Sequence, residues 1–241
     1  MAKRAARRAK LHAIDNARIH NLIFDQTPAN DRDQSYIRKI RARSDNQRLL
    51  MEAIDAKPLT VALGPAGTGK TYLAISAAVE ALEAGTVARI VLSRPAVEAG
   101  ENLGFLPGDM REKLDPYLRP LWDALNDRLG AKRLRQNLDD GTIEIAPVAF
   151  MRGRTLNNAF VVIDEAQNCT YVQLKMLLTR LGWHSTMVIT GDPAQSDLLP
   201  EMSGLGPVAD KLESVSNIAV VRLKDVDIVR HPLVAEMLGV L

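Results

Sequence analysis

Cys169 is the one cysteine in 241 residues. This rules out an internal disulfide and a multi-cysteine metal site, and it suits a reducing compartment. Aromatic residues are sparse at 4%, which argues against an aromatic stacking platform for bases. Neither sign of charge dominates. The 31 Lys and Arg against 29 Asp and Glu leave a net +2, too little to imply a nucleic-acid partner by itself. No apolar run approaches the roughly 18 residues a membrane span requires, and no signal peptide is evident. His12, His20, His184 and His231 are too scattered to suggest a metal site. The expectation is a cytoplasmic protein without a membrane partner.

What is present looks globular. Apolar residues make up 46% and charged residues 25%, enough for a sizeable core in one large domain with short appendages. The first ten residues carry Lys3, Arg4, Arg7, Arg8 and Lys10 and no acid. They read equally as a solvated terminus or as an arm that binds nucleic acid. A transit peptide fits less well, because no Ser follows and Asp15 arrives early. Residues 1–43 are taken as this basic tail and a helical lead-in, and 44–241 as the main domain. Within that domain, apolar runs alternate with helical patterns. LTVALG (59–64), RIVLS (89–93), TIEIA (142–146), FVVID (160–164), TMVIT (186–190) and IAVVRL (218–223) read as strands. Residues 70–84, a segment near 110–129, and 170–181 read as helices. Strands alternating with helices imply an α/β domain, a parallel sheet covered on both faces.

Three strand ends carry the chemistry. Residues 64–71, GPAGTGKT, match the full phosphate-loop pattern between a buried strand and an Ala-rich helix. Gly64, Gly67 and Gly69, with Pro65, Ala66 and Thr68 between them, let the backbone curl so that successive N–H groups point inward at phosphate oxygens. Lys70 would bridge the β- and γ-phosphates of ATP. Thr71 would offer its hydroxyl to Mg²⁺ at the positive end of a helix. FVVI runs into DEAQN (164–168). Asp164 would hold Mg²⁺ through its waters, and Glu165 would take a proton from the attacking water. The third strand end is GDPAQ (191–195), where Gln195 can donate to a γ-phosphate or orient a water. Alone, this last motif would be an ordinary turn.

Taken together, the three motifs resemble the first motor domain of superfamily 1 helicases. The wider resemblance is to the PhoH family and includes SRPAVEAGENLGFLPGD (93–109), MRGRTL (151–156), LTRLG (178–182) and DIVRHPLV (227–234). It covers roughly residues 44–236. The resemblance implies a RecA-like P-loop NTPase fold and a cytoplasmic ATPase with RNA-related activity. It also implies a ring-shaped homo-oligomer, most simply a hexamer, and a link by name to phosphate starvation. No room is seen for a nuclease domain or a second motor domain. A neighbouring subunit would then have to supply the arginine that closes on the nucleotide. Arg230 is the first candidate and Arg180 the second, each equally readable as an ordinary surface arginine. Gln47 resembles the glutamine that reads the adenine edge in related motors, and it also reads as a helix-surface residue. Arg94, Arg152 and Arg154 lie just beyond strands and are open to contact with a nucleic-acid backbone, a nucleotide phosphate or solvent. Two functions follow from this reading. One is a Mg²⁺-dependent ATPase coupled to RNA or single-stranded DNA. The other is a nucleotide-responsive oligomeric binding module with little hydrolysis. A small-molecule kinase is disfavoured by the DEAQN and GDPAQ pair and by the lack of an Arg-rich lid.

Overall fold

The structure, a computed structural model, describes residues 40–95, 110–199 and 201–229. The basic segment 1–10, most of SRPAVEAGENLGFLPGD and Arg230 lie outside the described residues. Six strands form one sheet: β1 (Leu59–Leu63), β2 (Arg89–Arg94), β3 (Ile143–Pro147), β4 (Ala159–Ile163), β5 (Thr186–Gly191) and β6 (Ile218–Arg222), in the order β3-β2-β4-β5-β1-β6. Every pairing is parallel. The helices are α1 (Asp45–Ala56), α2 (Lys70–Glu83), α3 (Met110–Leu129), α4 (Ala131–Asp139), α5 (Tyr171–Leu178) and α6 (Leu205–Leu212).

The strands read as continuous apolar runs because both faces of the sheet are covered. Phe160 and Val162 of β4 face one core cluster, with Leu50 and Ile54 of α1, Leu73 and Val79 of α2, Leu121 and Leu125 of α3, and Leu134 of α4. Val161 and Ile163, one residue out of phase, face the other, with Leu174 and Leu177 of α5 and Leu205 and Val208 of α6. This parity follows from the two-residue period of a strand. Each fully buried Leu, Ile or Val contributes about 1.5–3 kcal/mol relative to exposure. The fold is therefore the RecA-like, two-faced α/β layer the motifs imply.

Two helices went unexpected from the sequence, α4 and α6. Helix α1 is capped by Ser44, whose side chain accepts the Gln47 N–H, and α5 starts with a Thr170–Gln173 capping box; the helical lead-in expected within 1–43 lies almost wholly outside the described residues. The sheet order positions the site. β1 is followed in the chain by β2, which lies beyond β5 and β4. The chain reverses its winding there, and a crevice opens at the carboxyl ends of β1, β4 and β5. Gly64 leaves β1 at φ 143°, and a Cβ there would lie 2.5 Å from the Leu223 carbonyl oxygen. Gly85, at φ 69°, has no heavy atom within 4 Å of such a Cβ. Gly64→Ala is expected to lower the unfolding free energy by about 1–3 kcal/mol and by more than Gly85→Ala. Urea midpoints measure both, and equal losses would mean that the approach of Leu223 does not matter.

Candidate active site

The phosphate loop is shaped by bonds from several sides. The Gly64 N–H donates to the Gly191 carbonyl at 3.2 Å, joining the ends of β1 and β5. The buried Thr68 hydroxyl donates to the Pro65 carbonyl at 2.9 Å. From behind, Gln47 Nε2 donates to the Thr68 carbonyl at 3.0 Å, and the Val229 N–H donates to the Gly67 carbonyl at 2.9 Å. Gly67 and Gly69 both sit at φ 83°, in the left-handed region. Gly69 precedes α2 as its N-cap and gives it no side-chain cap. The first N–H groups of α2 therefore face the crevice, as an anion-binding helix terminus requires.

Lys70 begins α2. Its ammonium donates to the Gly64 and Pro65 carbonyls at 2.6 and 2.8 Å. Burial holds its pKa below the usual lysine value, although Asp192, Glu165 and Asp164 pull the other way. Thr71, one residue on, donates its hydroxyl to Asp164 Oδ1 at 2.6 Å. Asp164 follows β4 at only 2% exposure. Its Oδ1 also accepts the Thr190 hydroxyl of β5 at 2.7 Å, its N–H donates to the Ser93 carbonyl at 2.8 Å, and Arg94 Nη1 stands 3.5 Å from Oδ2. Glu165 adopts φ 51°, ψ 41°, left-handed backbone that costs a non-glycine residue about 1 kcal/mol or more. Its Oε1 accepts Arg94 Nη2 at 3.2 Å, and its Oε2 accepts the Gln167 amide. Gln167 in turn accepts the Asp192 N–H at 3.1 Å, and Gln195 donates to Asp192 Oδ2 at 2.7 Å.

These groups surround one cavity of about 260 Å³, lined by Ala66, Gly67, Gly69, Lys70, Thr71, Tyr72, Asp164, Glu165, Gly191, Asp192 and Gln195. Gly64, Pro65 and Thr68 belong to the loop without lining the cavity. Gln47 is not a helix-surface residue: it is 4% exposed, its carbonyl accepts the Arg43 N–H at 2.8 Å, and it braces the loop. Arg180 donates from all three nitrogens, to the Met176 and Arg154 carbonyls and the Thr179 hydroxyl, and so is engaged within its own subunit. Arg230 lies outside the described residues. Sequence reading assigned no role to Thr190, Asp192, Gln167 or Tyr72. Thr190 did leave a signal, since a polar residue ending an apolar strand needs a hydrogen-bond partner when buried.

The donor set fits a nucleotide with its divalent cation. Three carboxylates, Asp164, Glu165 and Asp192, stand among two cations, Lys70 and Arg94. Among the described residues no group of His, Cys, Asp and Glu is placed to hold a metal ion unaided, so a metal would be shared among Thr71, Asp164 and phosphate oxygens. Thr190→Val keeps the side chain's size and removes one bond to a buried carboxylate. It is expected to destabilise the fold by about 1–3 kcal/mol and to weaken Mg²⁺-dependent nucleotide binding. Thermal melts with and without Mg²⁺–ADP measure both effects.

The profile of the family described as "PhoH-like protein" matches residues 39–241. A PhoH-like protein of Bacillus subtilis (strain 168) is 53% identical over 202 residues, which is 83% of this chain and 63% of that protein. Protein PhoH of Escherichia coli (strain K12) is 45% identical over 205 residues, 84% of this chain and 58% of that protein. The chain thus spans about three-fifths of the length of these curated relatives. The solved large terminase of a thermophilic bacteriophage matches with a TM-score of 0.54 at 14% identity, over 81% of this chain and 49% of that one. That likeness speaks for the fold. Among the described residues no helix is long and apolar enough to cross a membrane.

Proposed function

The chain belongs to the PhoH-like protein family, and on that premise we propose that it is a cytoplasmic, Mg²⁺-dependent ATPase coupled to RNA or single-stranded DNA, with residues 44–241 as the working domain. The observation that carries the reading is the pairing of the Thr71 hydroxyl with Asp164 at 2.6 Å in the cavity that also presents Lys70 and Glu165. The loop N–H groups and Lys70 receive the phosphates, Lys70 exchanging its bonds to the Gly64 and Pro65 carbonyls for phosphate oxygens. Thr71 and Asp164 would hold Mg²⁺, which supplies charge compensation to the β- and γ-phosphates. Glu165, steadied by Arg94 and Gln167, takes the proton of the attacking water. Gln195 orients that water or donates to the γ-phosphate. Gln47 keeps the loop in shape and has one amide hydrogen left for a base edge. In a ring-shaped oligomer, most simply a hexamer, Arg230 of one subunit would serve the nucleotide of the next, where an arginine is worth about a thousandfold or more in rate.

A second reading draws on the same geometry. Both Glu165 oxygens accept side-chain bonds, from Arg94 and Gln167, and a base held in this way also suits a nucleotide-responsive oligomeric binding module with little hydrolysis. Steady-state ATP turnover, measured alone and with single-stranded RNA or DNA, separates the two. Stimulation by a strand supports the motor, and background turnover throughout supports the module.

Two substitutions test the assignments. Lys70→Ala is expected to abolish or severely weaken ATP binding in calorimetry, and micromolar affinity in this variant would refute the phosphate loop. Glu165→Gln is expected to bind ATP but to turn over about a hundredfold more slowly or worse. Turnover at the parent rate would remove Glu165 as the base.

A further inference from the structure

Arg94, Arg152 and Arg154 look alike in the sequence, each just past a strand at the same sheet edge, but the structure gives them three different surroundings. Arg94 turns inward onto Asp164 and Glu165. Arg154 is bidentate to Glu144 at 2.7 and 2.6 Å, and its carbonyl accepts Arg180 Nη1 at 3.0 Å. Arg152 is exposed and forms no ion pair among the described residues. No Asp or Glu occurs between Ile145 and Ile163, so no acid of its own stretch of chain pairs with it.

Beside it stands Phe150, 64% exposed, on a single 3-10 turn, Val148–Met151, that follows β3. Its neighbours in that turn are anchors: Val148 is 5% exposed and Met151 fully buried, both in the core beneath α5 and α6. The Arg154 N–H donates to the Met151 carbonyl at 3.3 Å, and the Glu144–Arg154–Arg180 bonds brace the turn from below. Phe150 is therefore held out by a fixed turn. Leaving it in water forgoes the gain of burying an aromatic ring. Arg94 and Pro147 are register partners, so the turn starts one residue past a position paired with the active-site arginine. It lies two strands from Asp164, roughly 10 Å.

We infer that the turn 148–152 is a contact point for single-stranded nucleic acid, with Phe150 stacking on a base and Arg152 meeting the adjoining phosphate. This rests on the nucleic-acid coupling proposed above and names where the strand touches the chain. The sparse aromatics argue against a stacking platform, and the geometry agrees to that extent: it offers one ring beside one cation. Both halves of a nucleotide are matched, since every base has a π-face and every phosphate a negative charge. An apolar protein partner would match only the ring.

Fluorescence anisotropy with labelled oligouridylate and oligothymidylate, over a range of salt, tests the contact and tells RNA from DNA. Phe150→Leu keeps apolar bulk and loses the π-face, and it is expected to weaken binding by about five- to a hundredfold. Phe150→Trp is expected to bind as the parent does. Arg152→Ala is expected to lower the dependence of log affinity on log salt by about one. Parent-like binding by both Phe150→Leu and Arg152→Ala would overturn the contact while leaving nucleic-acid coupling intact. Failure of the parent to bind either strand would overturn the coupling reading and the contact with it. A change of mass in light scattering for Phe150→Leu, with oligonucleotide affinity unchanged, would overturn the contact and assign the turn to contacts between copies of the chain. Thermal melts establish that each variant is folded, and Phe150→Trp and Arg152→Ala still decide the question should Phe150→Leu fail to fold.

Discussion

A carboxylate at 2% exposure must be compensated or it destabilises the fold by several kcal/mol, and the arrangement around Asp164 follows from that demand. Its compensation comes from three elements that the chain keeps far apart: the first turn of α2 through Thr71, the end of β5 through Thr190, and the end of β2 through Arg94. Thr71 is 93 residues distant in sequence. Arg94 and Thr190 flank Asp164 because β4 lies between β2 and β5. The same bonds that stabilise the charge therefore hold the phosphate loop, the acidic pair and the GDPAQ turn at one place.

The loop's shape is secured mostly from outside the loop. Gln47 of α1 and Val229, beyond the turn Asp225–Asp227 that follows β6, each donate to a loop carbonyl, and Leu223 packs so close to Gly64 that only a hydrogen fits there. With the Gly67 and Thr68 carbonyls tied from outside, less ordering remains to be done when phosphate arrives. Lys70 fills the interior meanwhile, bonded to the loop's own carbonyls. Phosphate binding is then an exchange of partners by one buried ammonium. Burial lowers its pKa although Asp192, Glu165 and Asp164 oppose the shift.

The strands and the phosphate loop were legible because buried parallel strands are nearly uniform in their apolar character, and because the loop's residues are each required by one backbone or phosphate contact. The acidic strand end was legible for its place after FVVI. Helix α4 was not, since only Leu134 and Leu138 of its nine residues are buried and two apolar positions four apart leave little periodicity. Helix α6 carries Gly206 and Pro207 near its start, residues that weaken a helical pattern although proline is tolerated in a helix's first turn. The strand order was not legible either, and with it went the roles of Thr190 and Gln167. A hydroxyl at a strand end shows that it needs a partner, but only the neighbouring strand's identity says which.

The arginines show the same limit most sharply, because their types and local contexts barely differ. What separates them is how far each guanidinium lies from a carboxylate that the fold has already placed. Arg94 is within reach of two acids that need a cation, and Arg154 is opposite Glu144 on the neighbouring stretch of β3. Arg180 finds the Met176 carbonyl of its own helix and the Arg154 carbonyl beyond β3. Arg152 meets none of these, and close by in the same turn is an aromatic ring held in water by buried neighbours. On a turn this firmly anchored, a charge without an ion pair among the described residues and an exposed ring fit a surface whose complement is another molecule. The sign of the one and the flat face of the other describe a nucleotide better than they describe a protein side chain.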